Sequence, residues 1–123
     1  MRVTLRTRGL APSGAISSHV ERRLRFAAGR FESRLESVRV RLADTNGPRG
    51  GEDKSCRLRA RVAGAGEVVV EDADADLYVA IDRAAVRFGR AVARAVERSR
   101  EPAAAGSRPF SFAAWRDPAL GME

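Results

Sequence analysis

The chain has 123 residues, enough for one small domain around a single core. It carries 23 Lys+Arg against 16 Asp+Glu, a formal net charge of +7. That surplus suits a polyanionic partner, an arginine-rich proteome being the plainer source of it. One cysteine, Cys56, excludes an intrachain disulfide and a Cys-based zinc site, and no apolar run approaches the length of a membrane span.

Residues 2 to 8 alternate, with Val3 and Leu5 on one side and Arg2, Thr4, Arg6 and Arg8 on the other, which is a half-buried strand. Pro12, Ser13 and Gly14 break it, and Ser13 is placed to cap the next helix. Ile16, Val20, Leu24, Ala27 and Phe31 recur at helical spacing and predict a helix over 14–32. A second alternating strand covers 37–43, with Val38, Val40 and Leu42 inward and Arg39 and Arg41 outward. NGPRGG at 46–51 is loop chemistry. A third strand covers 55–62, with Cys56, Leu58, Ala60 and Val62 inward and Arg57, Arg59 and Arg61 outward. Gly64 and Gly66 turn the chain into a fourth strand over 67–71, and a long helix follows over 75–99. Residues 1–100 form the domain, and 101–123 read as a linker and a tail bearing Phe110, Phe112 and Trp115.

The order β-α-β-β-β-α predicts an α/β two-layer sandwich. A right-handed crossover makes the first two strands parallel, and short loops make the last three an antiparallel meander. Each strand has one apolar face, so both helices should cover the same side of a four-stranded mixed sheet.

Arg83, Arg87, Arg90 and Arg94 step by four, three and four residues along the second helix. At about 100 degrees per residue they fall within an arc of about 60 degrees. At the interleaved positions of that stripe no acid occurs until Asp76 at the helix start, and Glu97 lies off to one side. A solvated face held by ion pairs between residues four apart therefore fits poorly, and a polyanion-binding stripe fits well. His19, Arg23, Phe26 and Arg30 repeat the spacing on the first helix. The two helices could share a basic groove between them or carry one along their rims. A competing basic surface is the outer sheet face, which has arginines and no aromatic ring on which to stack bases.

The chemistry-bearing motifs are weak. EDADAD at 71–76 lacks the Gly and the closing acid of a calcium loop, so its acids read as complements to a helix N-terminus, with Asp74 as the cap. His19 is the only histidine, and no spacing ties it to a nucleophile. Cys56 faces the core. No catalytic residue, metal site or cofactor is expected, and the chain reads as a non-enzyme.

DLYVAID at 76–82, followed by the basic helix, and HVERRL at 19–24 resemble the ribosome hibernation-promoting factor and ribosome-associated inhibitor family, once called sigma-54 modulation proteins. The similarity covers roughly residues 1–98 and extends to the element order. It implies a cytoplasmic stress or stationary-phase factor that occupies the mRNA and tRNA channel of the small ribosomal subunit and blocks translation without catalysis. Arg23, Arg87, Arg90 and Arg94 match positions where the family places rRNA-contacting side chains. Arg30 and Arg83 extend the same lines, giving six candidate RNA-binding residues. Phe26 and Gly29 depart from a pattern that is often basic, and Gly89 sits mid-helix at a cost of about 1 kcal/mol relative to Ala. The resemblance implies a short form, a monomer off the ribosome, with no membrane or small-molecule partner. The alternative is a protein-interaction module of the same fold, acting through its aromatic tail or its arginine-rich sheet. A general double-stranded RNA binder is a weaker third reading.

Overall fold

A computed structural model describes residues 1–11, 13–45 and 54–100. Strand β1 (Arg2–Arg8) leads to helix α1 (Gly14–Ala28), which tightens into a 3-10 segment (Gly29–Arg34) before β2 (Leu35–Asp44). Strands β3 (Lys54–Val62) and β4 (Gly66–Asp74) follow, and helix α2 (Leu77–Arg100) closes the domain. The strands lie in the order β1-β2-β3-β4, the first pair parallel and the other two antiparallel. Both helices pack on one face, so the two-layer sandwich and the mixed sheet stand as expected. The loop at 46–51, Pro12, and the linker and tail at 101–123 lie outside the described residues.

The alternation read in the sequence is what builds the core. Val38, Val40 and Leu42 of β2 and Cys56, Leu58, Ala60 and Val62 of β3 are buried against Val20, Leu24 and Ala28 of α1 and Ile81, Ala84, Phe88 and Val92 of α2. Each large side chain so buried contributes on the order of 1.5–3 kcal/mol. Ser13 caps α1 as expected: its Oγ accepts a hydrogen bond from the Ile16 N–H at 3.1 Å.

Several boundaries differ from the sequence reading. Helix α1 stops at Ala28, and Phe31, assigned to its stripe, sits half-buried in the 3-10 segment. Strand β2 starts at Leu35 because an irregularity in its pairing with β3 lets Leu35 and Val38 both face the core. Three residues apart in a regular strand, they would face opposite sides. The start of β2 is pinned to the β3–β4 turn. Arg34 donates from Nε and Nη2 to the Ala63 carbonyl at 3.1 and 2.9 Å, and the Ala63 N–H donates to the Arg34 carbonyl at 2.9 Å. Strand β4 runs on to Asp74, three residues past its expected end, and that extension shapes the site.

Candidate nucleic-acid interface

Helix α2 begins where the acidic run ends. Asp76, not Asp74, is its cap: the Asp76 Oδ1 accepts from the Tyr78 N–H at 2.9 Å, and the Asp76 carbonyl accepts the first helical bond from Ala80 at 3.0 Å. Asp74 supports the turn from outside, its Oδ2 accepting from the Asp76 N–H at 2.9 Å. Asp72 and Asp74 themselves belong to β4. They stand on the helix side of that strand, since Glu67 and Glu71 are paired in register with outward-facing Arg61 and Arg57.

The two helices run parallel. His19 and Arg23 of α1 meet Asp82 of α2, and farther along Ala27 meets Gly89. A Cβ on Gly89 would stand 2.5 Å from the Ala27 carbonyl oxygen, so the missing side chain is what lets the backbones approach. Helix α2 is consequently buried on two sides. Ile81, Ala84, Phe88 and Val92 face the sheet, and Ala85, Gly89 and Val96 extend the buried arc toward α1. The arginine stripe is left on the third side, over β4.

That position puts acids beside it. Arg83 Nη1 donates to Asp74 Oδ1 at 3.4 Å. Arg87 Nη1 donates to the Glu71 carbonyl at 2.9 Å and lies 3.6 Å from Asp72 Oδ2. The ion pairs missing along the helix are supplied from the neighbouring strand. Both guanidinium groups remain more than half exposed, so these pairs are weak and salt-screened. Arg90 and Arg94 are exposed and have no ion-pair partner among the described residues.

On α1, Arg23 faces the groove between the helices. His19 Nε2 lies 2.7 Å from Asp82 Oδ1, and Arg23 Nε lies 3.3 Å from the same oxygen but out of hydrogen-bond alignment. The Arg23 guanidinium stands over the exposed Phe26 ring, 5.6 Å from its centroid. A shallow depression across the top of α2 is lined by Arg23, Asp82, Arg83, Val86, Arg87 and Arg90, with Asp72 at its rim. Four of the six candidates therefore share one surface, and Arg94 continues it one turn on. Arg30 stands apart in the 3-10 segment, its guanidinium 4.8 Å from the Phe31 ring centroid. The stripe follows the outer rim of α2, separated from Arg23 by Asp82 and Val86, so the interhelical groove is not uniformly basic. Among the described residues the exposed large apolar side chains are Phe26, Tyr78 and Val86, all on this helix layer.

Sequence reasoning missed the acids at 72, 74 and 82 and the helix contact at Gly89. The period-2 spacing of Asp72 and Asp74 was the available signal, because it continues the alternation of β4. Cys56 is fully buried, and burial pushes its thiol up to about 12, with Glu71 and Asp72 adding to the effect. It is a core residue.

Parallel helices on one face of a mixed sheet, with arginine on both outer surfaces, define a small basic α/β sandwich. The family model described as sigma 54 modulation protein / S30EA ribosomal protein matches residues 3–100, and the chain belongs to that family. The crystal structure of the Protein Y N-terminal domain from Thermus thermophilus is 30% identical, with a TM-score of 0.61, covering 76% of this chain and 98% of that one. A ribosomal subunit interface protein from Coxiella burnetii has a TM-score of 0.64 over 79% of this chain and 99% of that one; at 10% identity it supports the fold alone. No curated protein matches the chain. Among the described residues no helix is long and apolar enough to cross a membrane.

Proposed function

We propose that the domain is a cytoplasmic, non-catalytic translation inhibitor of the hibernation type. It binds rRNA of the small ribosomal subunit in the mRNA and tRNA channel through the helix face bearing Arg23, Arg83, Arg87, Arg90 and Arg94. Family membership supports a ribosomal partner. The observation that carries the choice of face is the pair Arg90 and Arg94, exposed and unpaired among the described residues beside two weakly held arginines. Such a row can exchange its internal acids and counterions for phosphates at little cost. Arg30 lies off this surface and contributes through its own exposed position at the end of α1.

Inhibition on this reading is occupancy, and it acts as a monomer. The test is competition on purified small subunits: the protein is added to subunits carrying a labelled mRNA fragment and an anticodon stem-loop. The proposal expects displacement of the labels in proportion to bound protein. Simultaneous binding of all three would place the protein elsewhere on the subunit and end the channel reading.

A further inference from the structure

The face of the sheet away from the helices has a charge pattern that solubility does not explain. Its outward positions carry Arg2, Arg6 and Arg8 on β1, Arg39 and Arg41 on β2, and Arg57, Arg59 and Arg61 on β3. The register sets like charges directly opposite one another: Arg6 against Arg41, Arg41 against Arg57, and Arg39 against Arg59. Directly opposed like charges destabilise a sheet, and a face meant only for water would alternate signs. Among the described residues three acids stand on this side of the sheet: Glu36, exposed at the irregular start of β2 beside Arg61, and Glu67 and Glu71 on the β4 edge. Glu71 accepts from Arg57 Nη2 at 3.0 Å, and Glu67 lies 3.5 Å from Arg59 Nη2, both from β4. On the opposite half, Arg2, Arg6 and Arg39 are exposed with no ion-pair partner among the described residues. They line a depression between β1 and β2 together with the hydroxyls of Thr4 and Ser37.

We infer that this half of the sheet is a second binding surface, for the sugar–phosphate backbone of double-helical RNA. Arginine forks interleaved with Thr and Ser hydroxyls suit phosphate and 2′-OH groups. Outward side chains two residues apart on a strand stand about 6.6 Å apart, comparable to the interval between successive phosphates of one strand. Among the described residues the face has no aromatic side chain, and so no stacking platform of the kind that single strands use. Among the described strand positions Val69 is the one large apolar residue facing out, so the apolar centre of a protein–protein interface is missing too. With the helix face on one RNA segment, the domain would hold a second segment on its other side. The inference does not depend on which face meets the small subunit.

The test uses the full chain and a labelled RNA duplex of about 16 base pairs. A helix-face variant, Arg87→Gln/Arg90→Gln/Arg94→Gln, serves as the background, and anisotropy is read across a KCl series. The background should still bind the duplex at low salt. Adding Arg6→Ser/Arg39→Ser should weaken that binding tenfold or more and reduce the log–log salt slope by roughly 1 to 2, the loss of about two phosphate contacts. Removing these two arginines breaks no ion pair among the described residues, so the thermal midpoint should hold or rise. Should the serine pair unfold the chain, Arg6→Gln/Arg39→Gln is expected to give the same loss of binding in a folded protein. A background variant that already fails to bind, or a sheet variant with unchanged affinity and slope, overturns the inference.

Discussion

Gly89 reads as a defect in the sequence and as a requirement in the structure. In an exposed helix Gly→Ala gains about 1 kcal/mol. Here the added Cβ would press on the Ala27 carbonyl, which is backbone and cannot swing away. We expect Gly89→Ala to destabilise the fold by about 1–3 kcal/mol in denaturant titrations, the ordinary cost of overpacking. A stabilised variant would mean that the helices separate without penalty. Cys56 gives a residue-scale prediction in pH. Its folded-state value is raised from 9.0 to about 12, so the folded chain keeps a proton that the unfolded chain gives up. The stability this provides is complete below about pH 9 and is lost as pH climbs toward 12. The stability difference between wild type and Cys56→Ala should therefore shrink over that interval in urea midpoints taken from pH 8 to 11. A constant difference would contradict it.

At the scale of elements, the extension of β4 decides how free the arginine stripe is. Helical periodicity located the stripe, and the absence of acids between its arginines, from Arg83 to Arg94, was also legible. The strand that runs beside it was not, since no local pattern states which element will be its neighbour. EDADAD looked like a helix entrance, yet Asp72 and Asp74 finish a strand and reach the arginines from the side. Asp72→Asn with Asp74→Asn should free Arg83 and Arg87 and tighten polyanion binding several-fold at low salt, with a steeper salt slope. Weaker binding would show that the acids position those arginines for their ligand. In the core, Phe88 is fully buried at the centre of α2, and Phe88→Ala should cost about 3–5 kcal/mol in the same titrations. A cost below 1 kcal/mol would mean that the layers collapse around the gap.

For the whole molecule, period-2 and period-3.6 patterning was enough to give the layers, the strand order and the shared helix face. The boundaries of β1 were read as they stand, because Arg2–Arg8 alternates without interruption. The start of β2 escaped because a pairing irregularity breaks the alternation between Leu35 and Val38. The site was half legible: residue types and spacing identified the cations, while their sorting into a paired pair, a free pair and an isolated Arg30 is a tertiary outcome. The most direct test of the central claim is co-sedimentation with ribosomes at two salt concentrations, comparing wild type with Arg87→Glu/Arg90→Glu/Arg94→Glu. The account predicts that wild type travels with the small subunit or whole ribosome and is released by higher salt, while the variant stays at the top of the gradient. A variant that sediments like wild type would contradict it.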